Sequence, residues 1–362
     1  MAATAATHGT VTVACRQRRG VEYDGDLSTA QPALQEPTPR RKVDLMPSRL
    51  PVHLPHRRAR VRPPVPRPDL SLADYDPTMP FPVERIEVPG LDRPIRVAAI
   101  GDFHARIDRE FVFGPVLRRV SDQADLLLIA GDLTDNGRLE EFELVAQVLA
   151  EVRVPVVAVP GNHDRRCLRR LAMRQTLEDA GVRLLDGGAT VVDVASGAGG
   201  DGNGHGGTVR VEVIGIGGYG GGFWPDEMGD GPPLHRATQA VAVRARREAA
   251  RLDAMLADAS ADADVRIVLM HYSPTASTLG REPLVKYWML GNVELAKVVD
   301  RYPVDLVVHG HAHLGNPAGQ TVGGTPVRNV ATHVIGRPVV YVLGDKRLWP
   351  APGSAALPDG AR

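Results

Sequence analysis

The chain has 362 residues, 43 basic against 43 acidic, with 43% hydrophobic and 24% charged side chains. That composition can fill a sizeable core as one large domain or two small ones, and zero formal net charge excludes a global attraction to nucleic acid or an anionic surface. Its two cysteines, Cys15 and Cys167, exclude a disulfide framework or a Cys-rich zinc site, and no apolar stretch approaches the ~20 residues of a membrane span. A soluble cytoplasmic protein with no membrane partner is expected, and nucleic acid is not an expected partner.

Residues 1–85 lack periodicity and are rich in Pro and Arg, as in PSRLPVHLPHRRARVRPPVPRP from Pro47 to Pro68. Prolines there interrupt both helix and strand pairing. A disordered, locally basic tail is expected over 1–85, followed by one domain over 86–348 and a flexible tail over 349–362.

From Arg93 the pattern changes. Arg93–Ile100 runs into Gly101-Asp102-Phe103-His104, Asp125–Ala130 into Gly131-Asp132, and Val154–Val159 into Pro160-Gly161-Asn162-His163-Asp164. Val265–Met270 ends at His271, and Val304–Val308 leads into His309-Gly310-His311-Ala312-His313. Short runs of branched apolar residues are the mark of strands buried on both faces. Helical patterns lie at about 110–123, 138–151, 165–180, 235–259 and 292–301. Alternating strands and helices predict an α/β fold with a largely parallel sheet, in which ligands gather at the carboxyl ends of strands. Every polar cluster falls there.

Two Gly-rich segments read differently. Residues 196–207 lie between β-like runs at 189–195 and 208–216 and are expected to form a flexible hairpin loop, with His205 facing solvent. Residues 215–222 follow a strand without the helix that a dinucleotide-binding turn requires. The long connections at 217–236 and 272–291 hold Tyr219, Phe223, Trp224, Tyr287 and Trp288, which serve either as an apolar substrate rim or as packing for the loops.

Taken together, Asp102, His104, Asp132, Asn162, His163, His271, His311 and His313 offer the bridging carboxylate and the terminal oxygen and nitrogen ligands that two ions about 3.5–4 Å apart require. Asp102-x-His104, Gly131-Asp132-x-x-Asp135, Gly161-Asn162-His163-Asp164, His271 and Gly310-His311-x-His313 resemble the signature of the calcineurin-like metallophosphoesterases, over roughly residues 93–343. The resemblance implies a four-layer α/β/β/α sandwich with the metals at one edge. It further implies one metal on Asp102, His104, Asp132 and His313 and a second on Asp132, Asn162, His271 and His311, with Asp132 bridging. Imidazole and carboxylate ligands suit Mn, Fe or Zn.

In that family a metal-bridging hydroxide attacks phosphorus. The residue matching His163 acts as general acid, and the residue matching Asp135 orients it. The protein-phosphatase branch carries Arg where this chain has Asn136, so the pattern lies closer to the bacterial phosphodiesterase-like branch. Arg106, Arg281 and Lys286 are candidate substitutes for that phosphate contact, and Asp164 is expected to cap the helix at 165–180. The expected function is hydrolysis of a small-molecule phosphodiester or phosphomonoester. The alternatives are a non-catalytic interaction scaffold, or a nuclease using the basic tail. His309 is expected to pack or support the site, and His235 and His333 to be structural.

Overall fold

The computed structural model describes residues 78–195, 207–223 and 236–349. The predicted tail up to residue 77, the loop with His205, Trp224, His235 and the last thirteen residues lie outside the described residues.

Among the described residues, twelve strands make two six-stranded sheets. The first contains β1 (Val83–Glu87), β2 (Ile95–Ile100), β3 (Leu126–Ile129), β4 (Val156–Ala158), β5 (Val182–Leu184) and β12 (Val339–Gly344), in the order β1-β12-β2-β3-β4-β5. The second contains β6 (Gly188–Ala195), β7 (Thr208–Ile216), β8 (Val265–Met270), β9 (Leu306–His309), β10 (Ala318–Gln320) and β11 (Pro326–Asn329), in the order β10-β11-β9-β8-β7-β6. The pairs β2–β3, β3–β4, β7–β8 and β8–β9 are parallel, as the alternation of strand and helix predicts. The expected hairpin is present as the antiparallel pair β6–β7. The first residues of β1 fall within the stretch expected to be a tail; the strand pairs parallel with β12, and Phe81 just before it is buried.

Side chains alternate across each strand, and both sets are apolar here. From the first sheet Val97, Ala99, Leu126, Leu128 and Val157 face Val211, Val213, Ile267, Leu269, Leu306 and Val308 of the second. The opposite set, Ala98, Ile100, Leu127 and Ile129, packs with Phe142, Val145 and Leu149 of α3 (Leu139–Leu149) and Leu177 of α4 (Arg170–Asp179). On the far side Ile214, Val268, Met270 and Val307 meet Leu252 and Leu256 of α5 (Arg236–Ala257) and Leu295 and Val299 of α7 (Val293–Val299). The result is helix, sheet, sheet, helix: the four-layer sandwich. The short helices α1 (Gly114–Arg118), α2 (Val120–Gln123), α6 (Tyr287–Leu290) and α8 (Thr332–Ile335) complete the described α-helices.

Because β2, β3, β4, β8 and β9 are buried on both faces, polar residues can appear only where these strands stop. Their carboxyl ends meet across the two sheets: His271 bonds the Ala130 carbonyl, and the Gly310 amide donates to the His271 carbonyl at 3.2 Å.

Candidate metal centre

Among the described residues, four non-glycine residues have positive φ: Asp102 (59°), His104 (46°), Asp132 (49°) and His311 (67°). All four are predicted metal ligands. A left-handed backbone costs an L-residue about 1–2 kcal/mol, and such strain persists only where surrounding bonds over-determine it. Those bonds are present. The Asp102 amide donates to Gly131 O at 2.9 Å and the His104 amide to Asp132 O at 3.1 Å, so the segment after β2 is laced to the segment after β3. Thr332 Oγ1 donates to the Asp102 carbonyl at 2.6 Å, and the His311 amide to the Asp102 carboxylate at 3.0 Å.

Motif glycines give this lacing its room. Gly131 turns at φ 87°, where a Cβ would lie 2.6 Å from His271 Nδ1. A Cβ on Gly161 would strike the Asp132 carboxylate and amide.

Among the described residues three groups of ligand-type atoms converge: Asp102 with His104 and His313, Asp132 with His271 and His311, and His104 with Asp135 and His163; the first two hold the predicted ligands. In the first, His313 Nε2 lies 2.9 Å from Asp102 Oδ1, and His104 Nε2 lies 3.4 Å from His313 Nε2 and 3.9 Å from Asp102 Oδ1. In the second, His271 Nε2 lies 3.4 Å from Asp132 Oδ2 and 2.9 Å from Asn162 Oδ1. Asp132 Oδ2 is also 3.7 Å from His104 Nε2, so one oxygen stands between the groups. The other carboxylate oxygen, Oδ1, accepts the His163 amide at 2.8 Å. All seven predicted ligands are therefore brought together.

The donor set fits cations. Outer contacts occupy one nitrogen of a ring and leave the other for a metal. His271 Nδ1 donates to Ala130 O at 2.8 Å, which turns Nε2 toward Asn162 and Asp132. His311 Nε2 donates to Met289 O at 3.1 Å, leaving Nδ1 for the site. His104 Nδ1 is buried without a hydrogen-bond partner.

Charges follow the same geometry. Burial alone would raise Asp102, yet His313 and His271 hold it below the ordinary carboxylate value, and Asp132 is lowered likewise by His271, His104 and His163 against its own burial. Burial would lower His271, but Asp132, Asp102 and the Ala130 carbonyl hold it at about 9. Burial brings His311 down to about 3, helped by the charge of His271. His104 is also lowered, chiefly by burial, while the bond to Asp102 raises His313 against burial.

His163 lies beside this cluster rather than within it. Its Nδ1 is 2.6 Å from the main-chain carbonyl of Asp135, with Asp135 Oδ1 at 3.4 Å. The closer contact is thus the peptide oxygen. The Asp135 carboxylate is turned toward Arg106, whose Nη1 donates to it at 2.9 Å, and toward His104 Nδ1 at 3.5 Å. Asn136 is diverted from the site: its amide and side chain both donate to Glu141, at 2.9 and 2.8 Å.

Three further residues find places that the sequence pattern alone does not show. Asp164 does not cap α4. Its buried carboxylate accepts from the Leu133, Thr134 and Gly161 amides and from Thr134 Oγ1, at 2.9 to 3.1 Å, and so clips the loop after β3 to the loop after β4. Burial and the nearby Asp132 push it up to about 6. His333 stacks on His313 with ring centres 4.0 Å apart, a contact reached through α8 and invisible to spacing. His309 is buried, 2.9 Å from Thr278 Oγ1 and 2.7 Å from Gly310 O, and supports the strand end. The loop aromatics pack in pairs: Tyr219 with Tyr272, and Phe223 with Tyr287, each at 6.0 Å. Arg281 and Lys286 are exposed.

The calcineurin-like phosphoesterase family model matches residues 95–315, the span that holds all seven predicted ligands and His163. The chain belongs to this family. Within it, a glycerophosphodiester phosphodiesterase of Enterobacter lignolyticus is 29% identical over 115 residues, 25% of this chain and 41% of that protein. A 3',5'-cyclic-nucleotide phosphodiesterase of Nostoc is 32% identical over 83 residues, 20% of this chain and 31% of that protein. The chain thus spans less than half the length of these curated relatives. Among solved structures, the phosphopantetheinyl hydrolase of Mycobacterium tuberculosis is similar at 19% identity and a TM-score of 0.43, over 71% of this chain and 93% of that one. No helix among the described residues is long and apolar enough to cross a membrane.

Proposed function

We propose that this calcineurin-like phosphoesterase hydrolyses the phosphoester bond of a small molecule at a centre of two divalent ions, with His163 as general acid. One observation carries the reading: Asp132 Oδ2 lies within 3.4 Å of His271 Nε2 and 3.7 Å of His104 Nε2, between the two ligand groups. Asp102, His104, Asp132 and His313 would hold one ion; Asp132, Asn162, His271 and His311 would hold the other. Bound Mn, Fe or Zn ions supply Lewis acidity toward phosphoryl oxygens and lower the pKa of water toward neutrality.

The protein's own part is positioning and proton supply. Strained backbone at Asp102, His104, Asp132 and His311 fixes where the ligands point, at a cost that binding offsets. Ala130 O and Met289 O each set a tautomer, so that the correct nitrogen faces the ions. Asp135 O holds His163 Nδ1–H and leaves Nε2 to face the leaving-group oxygen, where proton donation lowers the barrier to bond breaking. The phosphodiesterase names of the relatives favour a diester over a monoester substrate.

Bis(4-nitrophenyl) phosphate and 4-nitrophenyl phosphate test the reaction on Mn-, Zn- and Fe-loaded protein. Faster turnover of the diester is expected, and Asp132→Ala and His163→Ala should each remove most of it without unfolding the chain. Turnover unchanged in either variant would overturn the mechanism. Purified protein carrying no transition metal would support a scaffold instead.

A further inference from the structure

Three guanidinium groups stand near His163, and they differ in how their charge is answered. Arg106 donates to Asp108 at 2.8 and 2.7 Å and to Asp135 at 2.9 Å, so two carboxylates surround it. Arg165 is tied to Asp186 at 2.7 Å. Arg166 has neither arrangement. Its Nη1 donates to the Asp135 main-chain carbonyl at 3.0 Å, and its Nη2 lies 3.3 Å from His163 Nε2. Among the described residues no carboxylate lies within ion-pair distance of it, and the side chain is exposed.

Arg166 thus holds a positive charge at the mouth of the site on neutral acceptors alone. The one it shares with the imidazole is long, at 3.3 Å, and such a bond exchanges readily for one to an anion, because an anionic acceptor adds a Coulombic attraction that a neutral imidazole lacks. Its position is set by the chain. Arg166 lies three residues beyond His163 on the 3-10 turn Asp164–Arg166, whose first residue is pinned by four hydrogen bonds. Asn136, held by Glu141, offers no competing donor.

We propose that Arg166 grips a non-bridging oxygen of the substrate phosphoryl group. Nη1 keeps the Asp135 carbonyl as its anchor, while Nη2 exchanges His163 Nε2 for the phosphoryl oxygen. The same exchange uncovers the Nε2 lone pair, which takes up a proton from solvent before His163 protonates the leaving-group oxygen, so binding the phosphoryl group and opening the imidazole to protonation become one event. This inference rests on the phosphoester reading above and names the residue that recognises the anion.

The test is calorimetric binding of inorganic phosphate to the full-length, manganese-loaded chain, alongside KM and kcat on the aryl phosphates. Arg166→Ala should weaken phosphate and raise KM by about tenfold or more, the loss expected for one hydrogen bond to a charged group, with metal content unchanged. Arg166→Lys should recover only part, because a point charge replaces the planar fork, and added guanidinium should partly rescue Arg166→Ala. Arg170→Ala, which removes a neighbouring positive charge, should leave both quantities near wild type. Phosphate affinity and KM within twofold of wild type in Arg166→Ala, loss of metal together with phosphate, or an equal loss in Arg170→Ala would each overturn the assignment. If the wild-type protein turns over no ester, the hydrolytic reading fails, and phosphate binding alone still decides Arg166.

Discussion

His271 presents Nε2 to the side-chain oxygen of Asn162 at 2.9 Å while its Nδ1 bonds the Ala130 carbonyl at 2.8 Å. A carbonyl only accepts, so Nδ1 carries hydrogen and Nε2 meets Asn162 and Asp132 either as an imidazolium proton or as a lone pair on a metal. Without metal the proton stays, because Asp132 and Asp102 hold His271 at about 9 despite burial. Metal loading near pH 7 should therefore release about one proton from this residue, and apparent metal affinity should rise with pH up to about 9. Calorimetry in buffers of different ionisation enthalpy reads the proton count; zero release at pH 7 would contradict the assignment.

The contact between His163 and Asp135 is chiefly through the main chain. Asp135→Ala leaves the carbonyl that holds Nδ1, so kcat should fall by no more than about tenfold. His163→Ala should cost about 10²–10⁴-fold, the usual worth of acid–base catalysis. Steady-state kinetics on one aryl ester compares the two, and equal losses would show that the carboxylate is the effective partner.

Gly161→Ala should disable the centre while sparing the core. The new Cβ collides with the Asp132 carboxylate and amide, beyond the end of β3. Metal affinity should drop about 10–100-fold, as for lost ligand support elsewhere. Metal titration and circular dichroism of the same sample separate this outcome from unfolding.

His309 adds a pH dependence to stability. Burial lowers it to about 4 in the folded chain, against 6.5 for an ordinary histidine. Between these values the unfolded chain binds a proton that the folded chain does not, so stability is complete above 6.5 and declines as pH falls toward 4. The contribution is up to about 3 kcal/mol. Urea midpoints of chelated protein from pH 7 to 4.5 should show a shallower decline in His309→Gln than in wild type; parallel slopes would rule His309 out.

Much of this was legible in the chain because buried parallel strands leave a strong local mark. β8 coincides with the predicted Val265–Met270, and the ends of β2, β3, β4, β8 and β9 gather the seven predicted ligands. Other elements carried no such mark. β12 enters the first sheet between β1 and β2, antiparallel to β2, and nothing near Val339–Gly344 announces that partner. Asp164 looked like a helix cap because it precedes a helical pattern, yet its acceptors' donors come from residues about thirty positions earlier as well as from Gly161.

Sequence by itself determined an α/β fold with largely parallel strands and the candidate ligand types in order, because a branched apolar run and the polar residue at its end are both local. The four-layer sandwich followed only from the family resemblance. Only tertiary structure decided which partner each side chain meets. Asp135 offers His163 its peptide oxygen, Asn136 turns to Glu141, and Arg106 pairs with carboxylates where Arg166, among the described residues, meets neutral acceptors. Those outcomes depend on how the loops after β2, β3 and β4 are laced together. That lacing is fixed by sheet register and by hydrogen bonds between residues far apart in the chain, which no local pattern encodes.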